Sequence, residues 1–140
     1  MQYTLRSATI NDLHFLDRIH SKNMQGYVEQ IYSWNSTLFK DNFAAQDYQV
    51  IEHQNQIIGL VKVVRSKTEL YLAEIQISHE YQNKGIGTNI ICQITEQAKL
   101  NKQRLWLKVI KSNPAINLYQ RLGFQICQTS STHLIMEIDF

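Results

Sequence analysis

Residues 2–7 alternate apolar and polar side chains like a half-buried strand, and Thr9 then stands at an N-cap position before Ile10, Leu13, Leu16 and Ile19 at helical spacing. A strand followed by a helix is predicted. Residues 24–45 (MQGYVEQIYSWNSTLFKDNFAA) are rich in aromatics, and Tyr27, Ile31, Trp34 and Leu38 fall near one helical face, which predicts one or two further helices. Residues 48–53 and 57–65 are β-rich and separated by the polar turn Gln54-Asn55-Gln56, the pattern of a hairpin. A third strand, 69–78, follows a turn near Ser66-Lys67.

A glycine-containing loop then leads into a helix predicted over 85–100, where Ile86, Ile90, Ile94 and Ala98 recur at intervals of four. Residues 104–110 read as a strand, 113–122 as a helix, and FQICQ and THLIMEIDF as two more strands. In order the elements are β, helices, β-β-β, α, β, α, β-β. Both element types must bury their apolar faces, so a mixed α/β sandwich with helices on both sides of a twisted sheet is expected.

No repeat, low-complexity tract or linker interrupts the chain, and its one proline is Pro114. A single domain over 1–140 is expected, a length at which roughly two thirds of the unfolded surface is buried. Hydrophobic residues at 44% and charged residues at 19% exclude a disordered class. The net charge of +2 is too small to argue for nucleic acid, although a local basic patch can still receive a phosphate-rich ligand. Cys92 and Cys127 form no C-x-x-C or metal spacing and read as two thiols of a reducing compartment. The N-terminus carries no leader pattern, and no apolar run approaches the ~20 residues that span a bilayer, so a cytoplasmic location is the default expectation.

The candidate chemistry begins at Ile75-Gln-Ile-Ser-His-Glu-Tyr-Gln-Asn-Lys-Gly-Ile-Gly-Thr, a strand, a polar turn, two glycines and a helix start. Unpaired N–H groups and a partial positive charge at a helix N-terminus attract phosphate or pyrophosphate. Gly85 and Gly87 would let a ligand approach the main chain, and Lys84 adds a full charge. A dinucleotide fingerprint would need a third glycine where Ile90 stands, and no G-x-x-x-x-G-K-[ST] loop is present. A second constellation occupies 113–124. Asn113 and Pro114 open a helix, Gly123 closes it, and Ala115, Leu118, Tyr119 and Leu122 share one face, where Tyr119 also suits plain core packing.

The pattern Gln/Arg-x-x-Gly-x-Gly/Ala, here Gln82-Asn83-Lys84-Gly85-Ile86-Gly87, resembles the acetyl-CoA motif of the GNAT superfamily of N-acetyltransferases. The string S-N-P-A-I-N-L-Y-Q-R-L-G-F resembles that family's second signature. Together they cover roughly 72–128. The resemblance implies a GNAT-like fold, with a mostly antiparallel sheet of six or seven strands and about four helices. It implies acetyl-CoA as co-substrate, with no metal. Backbone N–H groups of Asn83, Lys84, Gly85, Ile86, Gly87 and Thr88 would hold the pyrophosphate behind Gln82. The main chain of Ile75 and Ile77 would meet the pantetheine and acetyl group, Asn113 would bond the pantetheine arm, and Tyr119 would lie near the thioester sulfur.

Amine attack on a thioester builds charge on the carbonyl oxygen and expels a thiolate, which needs a donor. A phenol with a reference pKa of about 10 stays protonated at neutral pH, which makes Tyr119 the general-acid candidate for direct transfer to a primary amine in a ternary complex. No covalent intermediate through either cysteine is needed. The base is not unique. Glu74 precedes Ile75 where several enzymes of the family keep a carboxylate, and Glu29, with Tyr27 and Trp34, falls where the family builds its acceptor pocket, though aromatic spacing there also suits core packing. Lys108 holds the place where some protein-terminus acetyltransferases of the family carry a carboxylate, which argues against a ribosomal-protein substrate.

None of His14, His20, His53, His79 and His133 has metal-ligand company, and His20 stands out because its helix borders the expected pocket. The expected partner is a small-molecule or peptide amine, with no nucleic acid and no membrane, and homodimerisation is left open. The alternative is a non-catalytic acyl-CoA-binding or sensing module, since cofactor binding does not by itself prove turnover.

Overall fold

A computed structural model of the chain describes residues 2–140. Its seven strands are β1 (Thr4–Ser7), β2 (Tyr48–His53), β3 (Gln56–Arg65), β4 (Glu69–Ile77), β5 (Arg104–Ile110), β6 (Gln125–Thr129) and β7 (His133–Ile138). Its α-helices are α1 (Leu13–Glu29), α2 (Leu38–Asp41), α3 (Ile86–Leu100) and α4 (Ala115–Arg121). The sheet runs β1-β2-β3-β4-β5-β7-β6. β4 pairs with β5 in parallel, whereas β1/β2, β2/β3, β5/β7 and β6/β7 are antiparallel. This is the mixed α/β architecture that the alternating strand and helix periods predict. Two compact units divide it, the chain through Lys62 with Glu74–Gly87, and Val63–Ala73 with Thr88–Phe140.

In the first unit, Gln54 (φ 50°) and Asn55 (φ 62°) both take left-handed backbone, the requirement of a type I′ turn, and so join β2 to β3 tightly. The core gathers Ala8, Leu16, Tyr48, Val50 and Leu60, with Ile19, Phe39, Phe43 and Ile57 packed on it. Leu16 and Ile19 are the α1 positions that helical spacing predicts to face inward. Asp12 anchors the approach to α1. Its carboxylate accepts the Thr9 N–H at 2.8 Å and two N–H bonds from Arg6 at 2.9 Å, and Arg6 also pairs with Glu52 at 3.0 Å. The Arg6 guanidinium, then the Thr9 bonds, hold the Asp12 carboxyl below its usual range against the opposing effect of burial.

Gly59 is needed for a close approach of strands. A Cβ there would lie 2.4 Å from the Gln76 carbonyl oxygen and 2.9 Å from Ile51 Cδ1, so a side chain would force β4 away from β3.

One expectation is corrected here. α1 ends at Glu29, and α2 is a single turn at Leu38–Asp41, so Tyr27, Ile31, Trp34 and Leu38 do not share a helical face. The cause lies in Ser33-Trp34-Asn35-Ser36-Thr37. Asn35 Oδ1 accepts from both the N–H and the hydroxyl of Thr37 at 3.1 Å, a local bond that competes with helix formation.

In the second unit, the predicted apolar stripe of α3 is buried at Ile90, Ile94 and Ala98, with Ile91 buried beside it, and so are Leu105, Leu107 and Val109 at alternate positions of β5. The side-chain amide of Gln103 donates to the carbonyls of Ser66 (2.8 Å) and Lys67 (3.3 Å), pinning the turn before β4. The β4/β5 register runs from Glu69↔Arg104 to Tyr71↔Trp106, where the two rings stack at 4.0 Å. Beyond that point both strands continue. Gly123 (φ 102°) closes α4, with Gly123 N–H bonding Gln120 O and Phe124 N–H bonding Tyr119 O in a Schellman arrangement. Cys92 and Cys127 are free and exposed.

Candidate functional site

The backbone of β4 sets the geometry. Ser78 N–H donates to Ile58 O at 2.8 Å, and the Gln76 carbonyl lies against Gly59, so the polar groups of these two residues face β3. Strand alternation turns those of Ile75 and Ile77 the other way. The Ile77 carbonyl there accepts two side-chain amides, Asn23 Nδ2 from α1 and Gln82 Nε2, each at 2.9 Å. Gln82 thus folds the following loop back onto the strand end.

A 3-10 turn, His79–Tyr81, carries the chain out of β4. Asn83 (φ 61°) and Gly85 (φ 84°) are then both left-handed, and α3 begins at Ile86. Left-handed residues just ahead of a helix line up successive N–H groups into an anion-binding concavity, to which the helix adds its partial positive charge. Asn83, Lys84 and Gly85 are exposed, Ile86 is buried, and Gly87 and Thr88 are half-buried. The two glycines separate in role. Nothing stands within 4 Å of a Cβ built on Gly85, whereas one on Gly87 would meet Ile77 Cδ1 at 3.5 Å. Gly85 faces open space; Gly87 faces β4.

Beside the start of this loop lies an open pocket of ≈ 230 Å³ whose lining includes Arg18, Lys22, Asn23, Ser78, His79 and Glu80. Arg18 and Lys22 form no ion pair among the described residues, which leaves positive charge near the loop.

The opposite face of β4 carries side-chain chemistry. Alternation puts Glu74 and Gln76 on the α1 side, where Gln76 Oε1 accepts from Asn23 Nδ2 at 3.2 Å and Glu74 Oε1 meets His20 Nδ1. The His20 ring stacks on Phe39 at 4.7 Å and on Trp34 at 6.0 Å. Burial, then the charges of Glu74 and Asp47, push the Tyr48 hydroxyl well above the ordinary phenol range. Of the residues singled out by sequence, Glu74 and Trp34 are therefore brought together, through His20. Tyr27, half-buried, and Glu29, exposed, sit in the last turn of α1 and make no side-chain hydrogen bond, ion pair or ring contact among the described residues. The role of His20 was not assigned from sequence. The available signals were two polar residues, Glu74 and Gln76, on one side of the mostly apolar β4, and His20 and Asn23 three apart on one helix.

In the second unit, Asn113 Oδ1 accepts the Ala115 N–H at 2.9 Å, capping the turn that Pro114 opens and leaving its amide N–H groups without a partner among the described residues. Tyr119 is half-buried, edge-on to Phe124 at 5.9 Å, and its hydroxyl has no hydrogen-bond partner among the described residues. Burial raises its pKa, so the phenol stays protonated across the neutral range. Lys108 is exposed on β5. No helix is long and apolar enough to cross a membrane among the described residues.

Comparison with known proteins bears on the family and the fold. An uncharacterized N-acetyltransferase of Methanocaldococcus jannaschii is 27% identical over 138 residues, covering 88% of this chain and 61% of that protein. The ribosomal protein bS18-alanine N-acetyltransferase of Haemophilus influenzae is 34% identical over 94 residues, covering 65% of this chain and 64% of its own length. The chain thus spans less than two thirds of the length of these curated relatives. The crystal structure of the PaiA N-acetyltransferase from Thermoplasma acidophilum in complex with coenzyme A matches with a TM-score of 0.80 at 18% identity, covering 100% of both chains, which shows a shared fold. A profile of the acetyltransferase (GNAT) domain matches residues 44–126, more than half of the sequence, and the chain belongs to the GNAT acetyltransferase family.

Proposed function

We propose that this chain is an N-acetyltransferase that moves the acetyl group of acetyl-CoA directly onto a primary amine in a ternary complex. The observation that carries this reading is the turn at 82–87, where left-handed Asn83 and Gly85 lead into α3 with Lys84 exposed beside them. The N–H groups of Asn83 to Thr88 would receive the coenzyme A pyrophosphate, as at other helix N-termini. Ile75 offers main-chain groups turned away from β3 to the pantetheine and acetyl end. At Ile77 the carbonyl already accepts two amides, so its N–H is the group left for the ligand. Asn113 would donate its unpartnered amide N–H to the pantetheine arm.

Acetyl-CoA supplies the activated acyl carbon; the chain's own residues orient it and move protons. Tyr119 carries a protonated hydroxyl with no partner among the described residues, suited to donate to the departing thiolate. Glu74, on the α1 face of β4, is the carboxylate closest in sequence to the expected acetyl position, and Trp34 belongs to its aromatic surroundings through His20. Tyr27 and Glu29 are assigned to the outer wall of the acceptor site. The Haemophilus relative acts on a ribosomal protein, but Lys108 stands where some protein-terminus enzymes of the family carry a carboxylate, so the acceptor is assigned only as a small-molecule or peptide amine.

Binding and turnover are tested together. Tyr119→Phe is expected to lower kcat about 100-fold on an accepted amine, with the acetyl-CoA Kd within about twofold of wild type. Unchanged kcat would remove the acid role of Tyr119. Failure of the wild-type chain to bind acetyl-CoA would remove the whole reading.

A further inference from the structure

The pairing of His20 with Glu74 joins α1 to β4 at the level of the strand that the acetyl-transfer reading assigns to the thioester. Structural docking of α1 on β4 has its own device one turn later, where Asn23 bonds both Gln76 and the Ile77 carbonyl. His20 is thus available for another task.

Its surroundings define which atom is free. An ionised carboxylate only accepts hydrogen bonds, so the contact with Glu74 Oε1 requires the proton on Nδ1 and leaves the Nε2 lone pair bare in the neutral ring. Phe39 and Trp34, nearly parallel to the imidazole at 30° and 28°, fix its plane, and Nε2 has no partner among the described residues. The histidine side chain is 22% exposed against 12% for Glu74, so the ring rather than the carboxylate is the more accessible of the two. On adjoining elements, Asp17 pairs with Lys40 between α1 and α2, and Asp47 and Lys62 lie around Tyr48.

We propose that His20 is the general base of the transfer reaction, taking the amine proton at Nε2, and that Glu74 is a positioning residue that holds the required tautomer. This rests on the acetyl-transfer reading above. The amine lone pair forms the N–C bond as the C–S bond breaks. The thiolate of coenzyme A takes the Tyr119 proton, and the proton lost by nitrogen passes to His20 Nε2. Imidazolium and phenolate then return to their resting forms by exchange with water.

The test uses the full chain, acetyl-CoA and an amine on which the wild type releases coenzyme A. His20→Asn keeps an amide donor in the place of Nδ1–H but has no basic nitrogen, so it separates pinning from proton acceptance; His20→Ala opens room for added imidazole. Both are expected to lose about 100-fold in kcat while the acetyl-CoA Kd and the thermal unfolding midpoint of His20→Asn stay near wild type. Imidazole in the buffer is expected to restore part of the rate of His20→Ala and none of that of His20→Asn. Wild-type kcat in His20→Asn, or a loss that imidazole fails to restore in a folded His20→Ala, would overturn the base assignment and leave acetyl transfer standing. A wild-type chain that binds acetyl-CoA but turns over no amine would overturn both together.

Discussion

The loop at 82–87 and the His20–Glu74 pair lie in the same compact unit, yet they are built in different ways. The loop is a run of consecutive backbone groups whose conformation is dictated by local residues, with Gly85 and Asn83 left-handed and Gln82 tied back to Ile77. The pair is made of side chains 54 residues apart, brought together because α1 buries Leu16 and Ile19 in the core and thereby presents His20 to β4. A backbone-built site tolerates side-chain changes and fails when the chain cannot turn. A side-chain-built site fails when its supporting helix shifts.

Leu16→Ala should break that contrast most strongly. It removes a side chain with no exposed surface beneath α1 and is expected to cost about 3 kcal/mol in chemical unfolding. Below the melting range it should also reduce kcat, while acetyl-CoA binding at the loop changes little. Equal losses in both would mean that the two sites are one mechanical unit.

Asp12→Asn comes next, at about 2 kcal/mol, because it loses the charge that accepts from Arg6 and Thr9. The sign with pH follows from the lowered carboxyl. The stability Asp12 contributes is fully present above its unfolded value of about 4 and is lost as pH falls through the folded value. Unfolding curves of wild type and variant should therefore differ at pH 7 and converge in strong acid; a gap that persists there would assign the effect to packing.

A smaller and sharper comparison lies within the loop. Gly85→Ala has room for the methyl group but places it on left-handed backbone, at about 1 kcal/mol of strain, and should weaken acetyl-CoA binding roughly tenfold. Gly87→Ala meets Ile77 at an ordinary contact distance and should change stability by no more than about 0.5 kcal/mol. Calorimetric titration of both variants would reverse the assignment if Gly87→Ala were the more damaging. The smallest effect concerns Tyr119. With its hydroxyl raised by burial, turnover should show no descending limb from this group below about pH 10, and an alkaline loss common to wild type and Tyr119→Phe would belong elsewhere.

What was legible in the sequence follows the same division. The strand and helix periods, the turn at Gln54 and Asn55, the helix start after Gly85 and the closure at Gly123 are local, and each depends on residues within a few positions. The aromatic spacing over 24–45 predicts helix, which α1 and α2 supply, but the shared face of Tyr27, Ile31, Trp34 and Leu38 is broken between them, where the local bonds of Asn35 and Thr37 prevail. Glu74 was legible as a carboxylate on a strand, but its partner was not. His20 stands out among the five histidines because its helix borders the expected pocket, but only the packing of α1 pairs it with Glu74, and no spacing along the chain encodes that contact.

The central claim is acetyl transfer itself, and the most direct measurement is the mass of the products formed from acetyl-CoA and a panel of small amines and peptides. The account predicts, for at least one acceptor, an N-acetylated product formed in equal amount with free coenzyme A, and its loss in Tyr119→Phe. Saturable acetyl-CoA binding with neither product, across every amine class, would contradict it and leave an acyl-CoA-binding module.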